Sequence, residues 1–469
     1  VALRISLEEL RAKPTEHYES EAHGVVSLLS DVPDLWDVKM DSSPHDCGAS
    51  RFRPEGAHEP IIDFVKTVTD RPVVGVGRFT SPDTMVSQIR RGVLDFIGGA
   101  RASIADPFLP TKIREGRSDD IRECIGCNIC IASWHDGVPV RCTQNATAGE
   151  EWRRGWHPEK FTKTDKPSSV LVVGGGPSGL EAALVAARQG FDVTIAERDD
   201  DWGGRVLKES QLPGMASWRR VRDYRVWALS QMGNVSMFTN SDLNCDAIQS
   251  FGADHIALAT GAHWTRHLYS ALEIPIAPLN KPQVFTPDEV FAGNVTGDRL
   301  LVFDFDHYYL GGVIAEHLAI SGKQVTYATP AGHASAWTFM TNELPFVYQS
   351  LAKAGVAIHT TTNLISFEGA QATVANLFNQ TALELAIDGV VIVGHREPND
   401  ALFDPLTTSI EASGAAGTVS LVGDAQAPGA IVHAVHSGHT FARGLIHDET
   451  SYLRDEPIVP TTPQIVFPR

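Results

Sequence analysis

A chain of 469 residues is longer than one ordinary hydrophobic core supports, so two to four domains are expected. Its 43% hydrophobic and 20% charged residues describe a soluble globular protein, and 57 acidic against 39 basic side chains give a net charge of −18. That balance argues against nucleic acid as a partner, and the longest apolar run, near residues 170–187, contains Glu181 and four glycines, which rules it out as a membrane span.

The first residues, VALRISLEEL, lack the basic segment, apolar core and cleavage site of a secretory signal. A cytoplasmic, reducing setting is expected, in which clustered cysteines point to metal and not to disulfides. Over residues 1–115 strands alternate with helical stretches: 1–6, 35–40, 72–78 and 95–101 read as strands, with the helical SPDTMVSQIRRG between the last two. This is the rhythm of a parallel sheet. Two consecutive strands end in Gly75-x-Gly77-Arg78 and Gly98-Gly99-x-Arg101. In a (β/α)8 barrel the loops after strands seven and eight often bind phosphate. Glycine lets backbone N–H groups approach there, and arginine adds a planar fork of donors. A full barrel needs about 250 residues, so these four strands are expected to form its C-terminal half, the first half lying outside this sequence.

Residues 116–165 carry CIGCNICIASWHDGVPVRC, which holds four of the six cysteines in the chain. Cys124, Cys127 and Cys130 are spaced by two residues, and Cys142 follows after eleven. This pattern suits a [4Fe–4S] cluster, which four thiolates bind. Structural zinc more often uses two separated C-x2-C knuckles. Cys47 and Cys245 read as ordinary thiols.

After a polar linker at 160–169, residues 166–285 open a nucleotide-binding domain. An apolar strand runs into Gly174-x-Gly176-x-x-Gly179, then an alanine-rich helix, then a strand ending at Glu197. That is the dinucleotide fingerprint in its structural context: the glycines admit a pyrophosphate to a helix N-terminus, and Glu197 can accept from a ribose hydroxyl. Residues 286–395 repeat the strand–helix–strand rhythm as an inserted NAD(P)-like domain. There the turn reads Asp304-Phe305-Asp306-His307-Tyr308-Tyr309, whose bulk and charge are hostile to a dinucleotide. Residues 396–469 return to the first nucleotide domain and place Asp424 near its ligand. His433, His436 and His439, at near-helical spacing, read as packing residues.

The run IRECIGCNICIASWHDGVPVRCTQNATAGEEWRRGWHPEKF (121–161) resembles the iron–sulfur flavoproteins of the trimethylamine/dimethylamine dehydrogenase group, relatives of 2,4-dienoyl-CoA reductase with an Old Yellow Enzyme-like barrel. GVGRFTSPDTM, GGARASIADPFLP and LPGMASWRRVRDYR extend the resemblance along essentially the whole chain. It implies FMN in the barrel, one [4Fe–4S] cluster, and ADP or FAD in the next domain. By the same resemblance Arg4 faces the flavin, Arg78 and Arg101 its phosphate side, Asp46 is the catalytic acid and Trp134 an aromatic wall for the substrate. Ser43 stands where an aromatic is expected for trimethylamine, so another small amine is implied. An electron-transferring flavoprotein would take the electrons, and a homodimer is expected. The alternatives are an NAD(P)H-dependent dienoyl-CoA or enoate reductase on the same scaffold, and a non-catalytic electron-transfer module.

Overall fold

The computed structural model describes residues 1–7, 16–40, 43–166, 168–269, 275–276, 279, 281–413 and 417–446; the end of the expected closing domain, beyond residue 446, lies outside them. Among the described residues no helix is long and apolar enough to cross a membrane.

Strands Ala2–Ser6, Leu35–Lys39, Val73–Gly75 and Phe96–Ile97 pair in sequential order, all parallel. Trp36, Val38 and Val73 alternate inward onto a core shared with Ile62, Val65 and Leu94, as period-two patterning requires. The last two strands are shorter than their sequences suggest. Gly98 donates its N–H to the Gly75 carbonyl at 2.8 Å and ends the pairing, and the chain then turns into a helix, Ala100–Ala105. Arg101 therefore stands on a helical first turn and not in the preceding loop.

A second parallel sheet has the order Thr418–Leu421, His255–Leu258, Ser169–Val173, Asp192–Ala196, Val235–Phe238. The helix Pro177–Gln189 lies almost wholly buried between this sheet and the helix Ile431–Gly444. Its alanines permit that: small side chains let helix and strands approach closely, and a Cβ on Gly438 would sit 2.1 Å from the Ser178 carbonyl oxygen. A third parallel sheet runs Val284–Phe285, Gly389–Val393, Arg299–Asp304, Gln324–Ala328, Ala357–His359. Gly389–Val393 is buried at every position, the pattern of a strand covered on both faces. An antiparallel meander, Thr362–Glu368, Gln371–Asn376 and Ala382–Ala386, packs beside it.

Candidate functional site

The segment 121–128 has no regular secondary structure, and side chains hold its path. Cys124 donates its N–H to Thr80 Oγ1 at 2.6 Å, and Ser50 Oγ donates to the Ile125 carbonyl at 2.6 Å. Gly126 has φ +64°, and a Cβ there would meet the Ser50 backbone nitrogen at 2.9 Å, so only glycine fits. The chain then enters the helix Ile129–His135 through Asn128, itself left-handed at φ 58°. This path brings Cys124, Cys127, Cys130 and Cys142 around one small cavity of about 20 Å³, with Arg101, Asn128, Thr143 and Gln144 also in its wall.

Burial pushes the Cys127 thiol up to about 12 and Cys142 to about 11, and neighbouring cysteines add to both. Thiols held this high become thiolates only against a compensating cation. Among the described residues no group of three or more His, Cys, Asp or Glu side chains is set to hold a metal ion as it stands. Four soft donors spread about a cavity fit a polynuclear iron–sulfur centre. The Gly126 N–H reaches Cys124 Sγ at 3.3 Å, and Thr143 Oγ1 lies 3.3 Å from Cys127 Sγ, as sulfur ligands require of their surroundings.

Arg101 joins this cavity to the loop bearing Asp46. Its Nη1 donates to the Cys47 and Gly48 carbonyls at 3.1 and 3.0 Å and to Asn128 Oδ1 at 2.6 Å. Asn128 Nδ2 in turn donates to the Cys47 carbonyl at 2.7 Å and the Thr341 carbonyl at 2.9 Å. Asp46 closes a short helix, Ser43–Asp46, and its Oδ1 accepts from the Met40 N–H at 3.1 Å. Ser43 Oγ accepts from Asn342 Nδ2 at 2.9 Å, so the inserted domain touches this loop directly.

Arg78 is left-handed at φ 58°. Its Nε and Nη2 donate to the Arg53 carbonyl at 3.2 and 3.0 Å, while Nη1 is buried with no partner. A buried guanidinium nitrogen without an acceptor suits an anionic group such as a flavin phosphate. The nearby glycines serve packing as well: a Cβ on Gly75 would lie 2.8 Å from Leu94, on Gly98 2.7 Å from Val76, and on Gly77 3.1 Å from Phe79, while Gly99 is freer. Two expected residues stand apart from the cavity. Trp134 is 69% exposed, edge-on to His135, and Arg4 is exposed beside Asp37.

The second site is a cleft of about 740 Å³ lined by Gly174, Gly176, Glu197, Arg205, Arg396 and Asp424, among others. Gly174 turns at φ +108° beneath the Ala259 carbonyl, Gly176 leaves open space, and Gly179 packs on the Gly174 carbonyl; these are the three separate tasks the fingerprint needs. Glu197 accepts the Gly175 N–H at 2.6 Å and the Asp199 N–H at 2.9 Å. Sequence reading did not find the partners of Asp424, which accepts from Arg205 at 2.9 Å and Arg396 at 2.6 Å. Burial pushes this carboxyl up, but the two guanidiniums outweigh burial and hold it below the ordinary range. His439 is buried between Trp156 and Glu181, whereas His433 is exposed, so the expected packing role holds for His439 and not for His433.

In the inserted domain Asp304 is fully buried. It accepts the His307 N–H at 3.0 Å and the Tyr327 hydroxyl, and Gly311 packs against it so closely that a Cβ would lie 2.4 Å from its Cγ. Burial, then the Asp306 charge, pushes the Asp304 carboxyl up to about 7. The folded protein therefore keeps a proton that the unfolded chain releases between about pH 4 and pH 7, and stability falls across that interval and levels off above it. Asp304→Asn is expected to reduce this fall by up to about 1.4 kcal/mol per pH unit, read from urea unfolding at pH 5 to 8. Glu343, also pushed by burial to about 7, keeps its own slope in both proteins, so the difference between them isolates Asp304.

Residues 1–120 match the NADH:flavin oxidoreductase / NADH oxidase family, and residues 169–230 match the FAD dependent oxidoreductase family. Over 452 residues the chain is 36% identical to dimethylamine dehydrogenase of Hyphomicrobium sp. (strain x), a match covering 89% of this chain and 61% of that protein. The solved structure of 6-hydroxypseudooxynicotine amine oxidase from Pseudomonas geniculata N1 superposes with a TM-score of 0.91 at 44% identity, over 96% of this chain and 67% of that one. Histamine dehydrogenase from Rhizobium sp. 4-9 superposes with a TM-score of 0.91 at 40% identity, over 97% and 67%. The chain thus spans about three-fifths of the curated relative's length. It carries flavin-type oxidoreductase domains, and it belongs to the trimethylamine/dimethylamine dehydrogenase group of flavoprotein oxidoreductases.

Proposed function

We propose that this chain belongs to an amine dehydrogenase that oxidises a small amine and delivers the electrons one at a time to an electron-transferring flavoprotein. The observation that carries this reading is the wall shared by Arg101. One guanidinium lines the four-cysteine cavity and also grips the two carbonyls that follow Asp46. A flavin held at Arg78 would supply the acceptor for a hydride equivalent from the carbon beside an uncharged nitrogen, and a [4Fe–4S] centre held by Cys124, Cys127, Cys130 and Cys142 would supply single-electron transfer. The substrate would leave as an iminium, which water hydrolyses to an aldehyde and a smaller amine.

The chain's own residues have definite tasks in this scheme. The unpartnered Nη1 of Arg78 would hold a flavin phosphate, and the two glycine-ended strands, with Gly75, Gly77, Gly98 and Gly99, would shape that end of a half-barrel. Asp46, oriented by the Met40 N–H, would steady positive charge at the reacting nitrogen. ADP or FAD would fill the adenine cleft; the prior claim of Arg205 and Arg396 on Asp424 favours a ligand ending in phosphate, because that carboxylate is already taken.

The NADH:flavin oxidoreductase match favours a second reading, an NAD(P)H-dependent enoate reductase. Asp304 weighs against it, since a buried carboxyl packed against Gly311 stands at the strand end where a pyrophosphate would approach the helix. Anaerobic stopped-flow mixing separates the two. A panel of small primary and N-methylated amines, histamine and dimethylamine included, is expected to bleach the flavin absorbance, and NADPH is not. Rapid bleaching by NADPH alone would establish the reductase instead.

A further inference from the structure

Arg225 is fully buried on the helix Arg220–Ser230 and faces the wall of the cysteine cavity. Its Nε donates to Glu181 Oε2 at 2.7 Å. Its Nη1 donates to Gln144 Oε1 at 2.9 Å and to the Val221 carbonyl at 2.8 Å, and Nη2 to the Gln144 carbonyl at 3.2 Å. Gln144 lines the cavity with the four cysteines, and its Nε2 donates to the Glu123 and Arg220 carbonyls at 3.0 and 3.1 Å. The side chain is thus fixed at both ends.

The carbonyl of Gln144 belongs to the same peptide unit as the N–H of Asn145. The backbone N–H groups of Asn145 and Gln144 draw the Cys142 thiol down against burial. The guanidinium therefore binds the oxygen end of a peptide whose nitrogen end favours charge on a ligand sulfur. Hydrogen bonds in such a chain polarise one another, and hydrogen bonds to sulfur and nearby charge are the levers that set a cluster's potential.

We propose that Arg225 is a positioning residue for the iron–sulfur centre: it orients and polarises the Gln144–Asn145 peptide toward Cys142 and so raises the reduction potential of the centre. This rests on the reading of the four cysteines as cluster ligands. Glu181 is the opposing charge. It reaches across from the nucleotide-binding helix Pro177–Gln189, its Oε1 bonded to His439 Nδ1 at 2.8 Å. Removing either member of this buried pair leaves the other uncompensated beside the cavity, so the two substitutions act with opposite sign.

The test is a redox titration of the anaerobically purified full chain, followed by the electron paramagnetic resonance of the reduced centre. Glu181→Gln, which keeps the side chain's shape, is expected to shift the midpoint upward. Arg225→Met is expected to shift it downward, and Arg225→Lys to shift it less. If Arg225→Met does not fold, the double variant Glu181→Gln/Arg225→Met, which leaves no lone charge, decides the matter by falling below Glu181→Gln. A role in packing alone would leave the midpoint where it was or move Glu181→Gln and the Arg225 variants the same way, and either result overturns the proposal. No iron–sulfur signal in the unsubstituted protein would overturn the cluster reading itself, and this inference with it.

Discussion

Cys127→Ser is expected to abolish the iron–sulfur centre, from about four iron and four sulfide per chain to a small fraction of that, and to lower the unfolding temperature by several degrees. The reasoning starts from the segment 121–128, whose path depends on isolated side-chain contacts and not on a ladder of backbone bonds. Cys127 sits inside the largest apolar core with Ile125 and Ile129, so its sulfur anchors both the centre and the packing around it. A serine there keeps roughly the volume, and it supplies a hydroxyl that neither ionises nor binds iron as a thiolate does. Because bound metal contributes directly to folding free energy, loss of one ligand in four should be felt globally. Cys245→Ser is the control: that residue begins the helix Cys245–Phe251 and does not line the cavity, so its iron content and unfolding temperature should match the parent. Metal analysis and visible absorbance decide the outcome. Zinc in the parent protein, or full iron retention in Cys127→Ser, would remove the four-cysteine site as drawn.

The sequence discloses those features whose meaning lies in short-range spacing. The Gly174, Gly176 and Gly179 turn works within a few residues, and the cysteines lie within nineteen residues of each other, so the shape of the turn and the grouping of the four sulfurs could both be read from the sequence. What spacing conceals is the purpose of a residue type. Gly75 and Gly98 look like openings for a phosphate, yet Leu94 and Val76 stand where their Cβ atoms would be, so close packing of strand ends also demands glycine there. Arg101 looks like a second phosphate fork, yet its Nη1 is engaged by the Cys47 and Gly48 carbonyls. Partnerships across long sequence distances were invisible altogether. Arg225 meets Gln144 across 81 residues, and Arg205 meets Asp424 across 219. Nothing local in either arginine's neighbourhood marks it, since a buried guanidinium and an exposed one have the same flanking pattern.

Gly179→Ala and Gly176→Ala, three positions apart, are expected to fail in different ways. A Cβ on Gly179 would lie 1.9 Å from the Gly174 carbonyl oxygen. Neither side can yield. Gly174 is tied to Ala196 by a 2.8 Å backbone bond and is crowded by the Ala259 carbonyl, and Ala259 is itself bonded to Val173 at 2.8 Å. The helix carrying Gly179 is held from its other side, where Gly438 packs on Ser178. Overpacking usually costs about 1–3 kcal/mol where side chains can shift; against fixed backbone the cost should reach or exceed the top of that range. Gly179→Ala should therefore lose both stability and bound adenine nucleotide. Gly176 differs, with no atom within 4 Å of its Cβ position and an ordinary φ of −74°. Alanine there adds no strain to the empty fold and intrudes only on the cleft. Gly176→Ala should keep the parent's unfolding temperature when both are stripped of ligand, while its affinity for ADP drops by about tenfold or more, or roughly 1.4 kcal/mol. Calorimetry on stripped protein measures both quantities, and unchanged ADP affinity in Gly176→Ala would mean that the phosphates take a route that avoids this glycine.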